Sequence, residues 1–114
     1  MTRSVLIVLE DMLESADQLR QYTADITFNE FAKNCMIQDA VVRRLEIIGE
    51  AAKGVPDEFR KKYPDVPWRD VAGARDILIH EYFRVDLELA WDMVKKDVPA
   101  FSTRIAQILS DLQQ

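Results

Sequence analysis

Val5-Leu-Ile-Val-Leu-Glu-Asp-Met-Leu-Glu-Ser-Ala-Asp-Gln-Leu-Arg-Gln-Tyr22 places its apolar residues at the helical interval. Val5, Leu9, Met12, Ala16 and Leu19 recur three and four apart, Leu6 and Leu13 widen the stripe, and charged and polar residues fill the other face. The pattern predicts a long amphipathic helix from about Arg3 to Tyr22. So narrow a stripe suits packing along another long helix at a shallow angle.

The same interval recurs along the rest of the chain. Thr27-Phe-Asn-Glu30 reads as a capping box, in which hydroxyl and carboxylate each satisfy a free backbone N–H. It opens a short helix ending near Asn34. A second long helix then runs to Lys53 with Ile37, Val41, Arg44, Leu45, Ile48 and Ala52 on neighbouring faces, and Gly54 is placed to stop it in the left-handed conformation. Glu50 in that helix reads as a solvated carboxylate. Pro56-Asp57-Glu58 followed by Arg60-Lys61-Lys62 describes a short helix whose charges match its own dipole.

Tyr63-Pro-Asp-Val-Pro-Trp68 is a turn bracketed by prolines, with Pro67 at a first helical position and Trp68 beginning the helix that carries Arg75. Gly73 within it costs about 1 kcal/mol relative to alanine, a cost that a close helix–helix approach would offset. Asp86 is an N-cap for a helix with Leu87, Ala90, Trp91 and Val94 on one stripe and Lys95 and Lys96 at its C-terminal end. Asp97-Val98-Pro99 starts a last helix carrying Phe101, Ile105, Ile108 and Leu112. No segment alternates with period two for long. The expectation is one domain over residues 1–114, an all-α up-and-down bundle of four to five main helices plus short ones.

Composition agrees with a globular domain. Hydrophobic residues make up 48% and charged residues 31% of the 114. No apolar run approaches the roughly 20 residues of a membrane span, and Val5–Leu9 is too short for a secretory signal, so a cytoplasmic protein is expected. One cysteine, Cys35, forms no internal disulfide, and one cysteine with one histidine closes no zinc site, so neither metal nor cofactor is expected. Cys35 itself reads as a buried small hydrophobe. Trp68 and Trp91 read as core or interface before they read as base-stacking platforms. Tyr22 and Tyr63 read as packing residues with wet hydroxyls. The net charge of −5 withholds the global counterion-release drive of a nucleic-acid binder, so any such contact must be local.

Chemistry concentrates in Trp68-Arg-Asp-Val-Ala-Gly-Ala-Arg-Asp-Ile-Leu-Ile-His-Glu-Tyr82, which holds the chain's only histidine. His80 can move a proton near neutral pH. Arg75 offers a permanently charged fork for phosphoryl oxygens. Together the two groups suffice for metal-free RNA cleavage, with a 2′,3′-cyclic phosphate as product. On an ideal helix, however, five residues separate them by about 140°. They converge if the helix ends or bends near Ile79, or if a second subunit supplies one partner. Asp76 and His80, four apart, share a helical face, so Asp76 could hold the imidazole tautomer. The structural alternative is a histidine at a helix C-terminus beside an arginine paired with Asp76 or Glu81.

Arg75-Asp-Ile-Leu-Ile-His80-Glu-Tyr82 resembles the R-x4-H-x-Y motif of HEPN-domain proteins, specifically the HepT-like branch. Arg44-Leu-Glu-Ile-Ile-Gly-Glu-Ala51, Tyr63-Pro-Asp-Val-Pro-Trp68 and Val85-Asp-Leu-Glu-Leu-Ala-Trp91 resemble stretches of the same branch in the same order. The resemblance implies a HEPN-like bundle and the toxin of a type II toxin–antitoxin pair. It implies a homodimer that gathers two motifs in one cleft and cleaves RNA without metal. Arg75 and His80 would be catalytic and Asp76 supporting, at a position where the family commonly has asparagine. Ala74 stands where a methionine is common. The implied partner is an MntA-like minimal nucleotidyltransferase antitoxin that transfers AMP to Tyr82. A non-catalytic docking subunit for such a nucleotidyltransferase is the other reading. Arg69, Arg75 and Arg84, if gathered near the cleft, would offset the acidic surface.

Overall fold

The computed structural model describes residues 4–74, 76, 79–80 and 84–114, of which residues 79, 80 and 84 are described by their backbone alone. Helix α1 spans Val5–Thr23, with the Ser4 side chain accepting from the Leu6 N–H at 3.1 Å. Helix α2 is Phe28–Ala32, opened by the complete Thr27/Glu30 capping box. Helix α3 is Cys35–Lys53, capped by the Asn34 side chain. Helices α4 (Asp57–Lys62) and α5 (Trp68–Ala72) are short. A two-residue antiparallel ladder, β1 (Ile79–His80) with β2 (Arg84–Val85), precedes α6 (Leu87–Asp92). Then come a π-helical segment, Met93–Asp97, and α7 (Val98–Leu112). The fold is an all-α bundle, as expected, interrupted by this ladder.

Two buried clusters fix how the long helices run. Val5, Val8, Leu9 and Met12 from the start of α1 meet Ala52 from the end of α3 and Ile105 and Ile108 from α7. Ala16 and Leu19 from the end of α1 meet Val41, Leu45 and Ile48 of α3 with Ala90, Val94 and Val98. Helix α1 is therefore antiparallel to both α3 and the Leu87–Leu112 stretch. The remaining leg of the bundle starts at Trp68 in the first cluster and returns to the second at Val85 and Leu87. That leg carries the motif.

Several local expectations are corrected. The helices expected on either side of Asp97 run together, because Met93 and Val98 both keep helical backbone and the Val98 N–H donates five residues back to the Met93 carbonyl. A proline inside an α-helix lacks one donor and collides with the carbonyl four residues back. The wider π turn just before Pro99 accommodates both defects. Gly54 ends α3 with φ −81° and ψ −4°, not in the left-handed conformation. The carbonyls at that end are instead covered by Arg60, whose guanidinium donates to Ala52 at 2.7 Å and Val55 at 3.0 Å. Lys95 likewise serves another helix, donating to the Thr23 carbonyl at the end of α1 at 2.8 Å and lying over the Trp91 ring.

Pro67 is the N-cap of α5 and not its first residue. The turn before it closes on the Tyr63 carbonyl, which accepts from the Val66 N–H at 3.2 Å and the Trp68 indole at 3.1 Å. Trp68 is buried, and Trp91 packs on Phe28 and Phe31, so both tryptophans serve packing. Cys35 is exposed rather than buried, because it occupies the first turn of α3 away from both clusters.

Candidate functional site

The leg that carries the motif is built on a glycine, though not the one the sequence pointed to. A Cβ on Gly73 would meet the Arg69 and Asp70 carbonyls of its own helix, at 3.4 and 4.0 Å, and among the described residues no neighbouring helix comes within 4 Å of it. The close approach is at Gly49. A Cβ at that position would stand 3.3 Å from the Val71 carbonyl oxygen and 3.4 Å from that of Ala72. Helix α3 thus lies against the C-terminal carbonyls of α5. The Ile47-Ile-Gly-Glu50 sequence held the signal: a glycine inside a strong helical pattern usually has a packing reason.

Gly73 terminates α5, its N–H donating to the Arg69 carbonyl at 3.0 Å. The Asp76 N–H then donates to the Gly73 carbonyl at 3.0 Å. Ala74 is buried and Asp76 exposed. By Ile79–His80 the backbone is extended and pairs with β2 in the register Ile79↔Val85, His80↔Arg84. A helix from Trp68 through His80 is therefore not formed. The 140° separation and the shared Asp76–His80 helical face, both drawn for a continuous helix, do not apply. Arg75 and Tyr82 lie outside the described residues. For His80 and Arg84 the structure gives backbone pairing with each other. Arg69 is exposed on α5.

Beside Ala74 runs a groove of about 560 Å³ between α3, α5 and the π-helical segment with α7. Its floor is apolar. On its rim Arg104 donates to Asp65 from two guanidinium nitrogens, Nε at 2.6 Å and Nη2 at 3.3 Å. That hydrogen bond holds the Asp65 carboxyl below the ordinary aspartate value and raises Arg104 above its own. Among the described residues no group of three or more His, Cys, Asp or Glu side chains is arranged to hold a metal ion. Nor is any described helix long and apolar enough to cross a membrane.

Comparison with known proteins places this chain in a family. The model for "Ribonuclease HepT-like" matches residues 12–108. A candidate RNase of Methanocaldococcus jannaschii is 48% identical over 103 residues, covering 90% of this chain and 94% of the relative. A protein named probable ribonuclease HepT from Thermococcus cleftensis is 41% identical over 108 residues, covering 95% and 98%. Another M. jannaschii protein, described as a gamma-glutamylcyclotransferase and candidate RNase, is 47% identical over all 114 residues. The chain spans only about half of that relative, 51%. No solved structure matches the chain significantly. With most of its length matched by the family model and by relatives of its own size, the chain belongs to the HepT-like ribonuclease family.

Proposed function

We propose that this protein is a metal-independent endoribonuclease, the toxin of a toxin–antitoxin pair, with Arg75 and His80 as its catalytic residues. The observation that carries the reading is the spacing Arg75-x4-His80-x-Tyr82 inside a family match covering residues 12–108. The His80 imidazole takes the proton of a 2′-hydroxyl, whose oxygen attacks the adjacent phosphorus. The Arg75 guanidinium stabilises the charge that builds on the phosphoryl oxygens. The 5′-oxygen leaves, giving a 2′,3′-cyclic phosphate and a new 5′-hydroxyl end. Extended backbone at Ile79–His80 supports the reading, since it frees His80 from the orientation a continuous helix would impose.

A homodimer completes the site in this reading, bringing two motifs to one cleft and doubling the local positive charge on a chain of net charge −5. An MntA-like nucleotidyltransferase antitoxin silences it by transferring AMP from ATP to the Tyr82 phenol, with pyrophosphate leaving. Asp76 takes the supporting role by its place in the motif, not by a helical face shared with His80. Its exposed carboxylate beside a phosphate site is also the observation favouring the second reading, a non-catalytic docking subunit of that nucleotidyltransferase. Purified, unmodified protein incubated with varied RNAs in EDTA decides between them. Cleavage to cyclic-phosphate ends is expected, and intact RNA would leave the docking reading.

A further inference from the structure

The groove beside Ala74 combines an apolar floor with an acidic rim, and the two together select an occupant. Val71, Met93 and Phe101 are only half-buried there, above the buried Leu45 and Ile48. Of the rim charges, Asp65 and Arg104 neutralise each other at 2.6 Å, and Lys96 is drawn toward Asp92 at 3.8 Å. Asp70 and Asp97 remain, both exposed and neither in an ion pair among the described residues.

These two carboxylates decide among three classes of occupant. An RNA strand would bring phosphates against them, and like charges so placed repel. A second copy of this chain offers Ile7, Met36 and Leu112 as its exposed large apolar residues among those described. Ile7 has Glu10 one turn away and Leu112 has Asp111 beside it, while Met36 is flanked by Asp39 as well as Lys33. None of these described residues delivers an apolar group with net positive charge. The complement is an apolar side chain accompanied by cations.

We propose that this groove docks a segment of a different protein, one that lays a bulky aliphatic side chain against Val71, Met93 and Phe101 and sets lysine or arginine against Asp70 and Asp97. The π-helical segment forms one wall, contributing Met93, Lys96 and Asp97. The inference goes beyond the nuclease reading and does not depend on it, since binding is measured without RNA cleavage.

The test uses the full chain and a fluorescein-labelled amphipathic Leu/Lys peptide of about 16 residues, long enough to form a helix, with a twin carrying glutamate for lysine. By anisotropy the lysine peptide binds at least about tenfold tighter than its twin. The Asp70→Lys/Asp97→Lys protein reverses that preference. Glu10→Lys/Glu14→Lys, an equal change of charge on the exposed face of α1, leaves it standing. Ala100→Trp fills the groove from an exposed wall position without changing net charge and abolishes binding of the lysine peptide. Equal binding of that peptide to wild type and Ala100→Trp would overturn the proposal. So would a wild-type dimer that Ala100→Trp splits by light scattering, which gives the groove to self-association. So would a labelled oligouridine that binds the wild type and is lost on Ala100→Trp, which gives it to RNA.

Discussion

Gly49 of α3 lies against the backbone carbonyl of Val71, so close that a single added carbon would stand 3.3 Å from the oxygen. Alanine at 49 gains about 1 kcal/mol of helix propensity and loses a comparable amount to crowding, so its stability should barely move. A larger side chain has no such offset. Gly49→Leu should destabilise by about 1–3 kcal/mol, read as a lower urea midpoint at unchanged slope. A leucine variant as stable as wild type would mean that α5 yields freely and does not rest on α3.

The Asp65–Arg104 pair should announce itself in a titration. The Arg104 hydrogen bond holds the Asp65 pKa below the ordinary 3.8. A depressed carboxyl pKa stabilises the fold above the unfolded value and loses that contribution as pH falls through the lower, folded value. The window therefore lies below pH 3.8. Carboxyl NMR should place the Asp65 midpoint beneath that value in wild type and return it there in Arg104→Gln. Coincident midpoints in the two proteins would show that the pair does not form in solution.

Lys95 joins the π-helical segment to the end of α1 across 72 residues of sequence. Its ammonium donates to the Thr23 carbonyl, and hydrogen bonds to charged groups contribute about 1.5–3 kcal/mol. Because the lysine is largely exposed, Lys95→Met should fall at or below the lower end of that range. Thermal melts and amide exchange at the C-terminal turn of α1 would report it. Unchanged exchange there would rule the cap out.

For the nuclease reading, Arg75→Ala and His80→Ala should each lower RNA cleavage by about 10²-fold or more. Far-ultraviolet circular dichroism and light scattering should be unchanged. Wild-type rates in the His80→Ala protein would trace the activity to a contaminant.

Tyr82 is the expected acceptor of AMP. Intact mass after incubation with the nucleotidyltransferase and ATP should rise by whole AMP groups in wild type and stay constant in Tyr82→Phe. A mass rise that survives the substitution would move the modification to another side chain.

The bundle was legible because apolar residues three and four apart, as in Val5 to Leu19, state which face of a helix is dry. The capping box at Thr27–Glu30 was legible for a similar reason, since both partners lie within one turn. What local pattern could not supply was the identity of distant partners. Arg60 and Lys95 read naturally as matched to their own helix dipoles, yet each caps the end of a different helix. Gly73 and Gly49 look alike in sequence, and only the packing of α3 on α5 tells which one admits a neighbour. At the motif, the resemblance of Arg75-x4-His80-x-Tyr82 and its neighbouring stretches pointed to the family, which the match over residues 12–108 shows. The idealised helix drawn through it failed at Ile79, where pairing with Val85 takes the backbone out of helical geometry.

Pro99 sits within an unbroken rod from Leu87 to Leu112 because the five residues Met93–Asp97 take the wider turn. Such a turn amounts to one residue inserted into an α-helix, and each residue advances the helical phase by about 100°. Deleting one residue from this segment would therefore rotate Ile105 and Ile108 out of the α1 contact while Ala90 and Val94 kept theirs. The two halves of the core are phased to each other through that single surplus residue, which makes the rod far less tolerant of length change than of substitution.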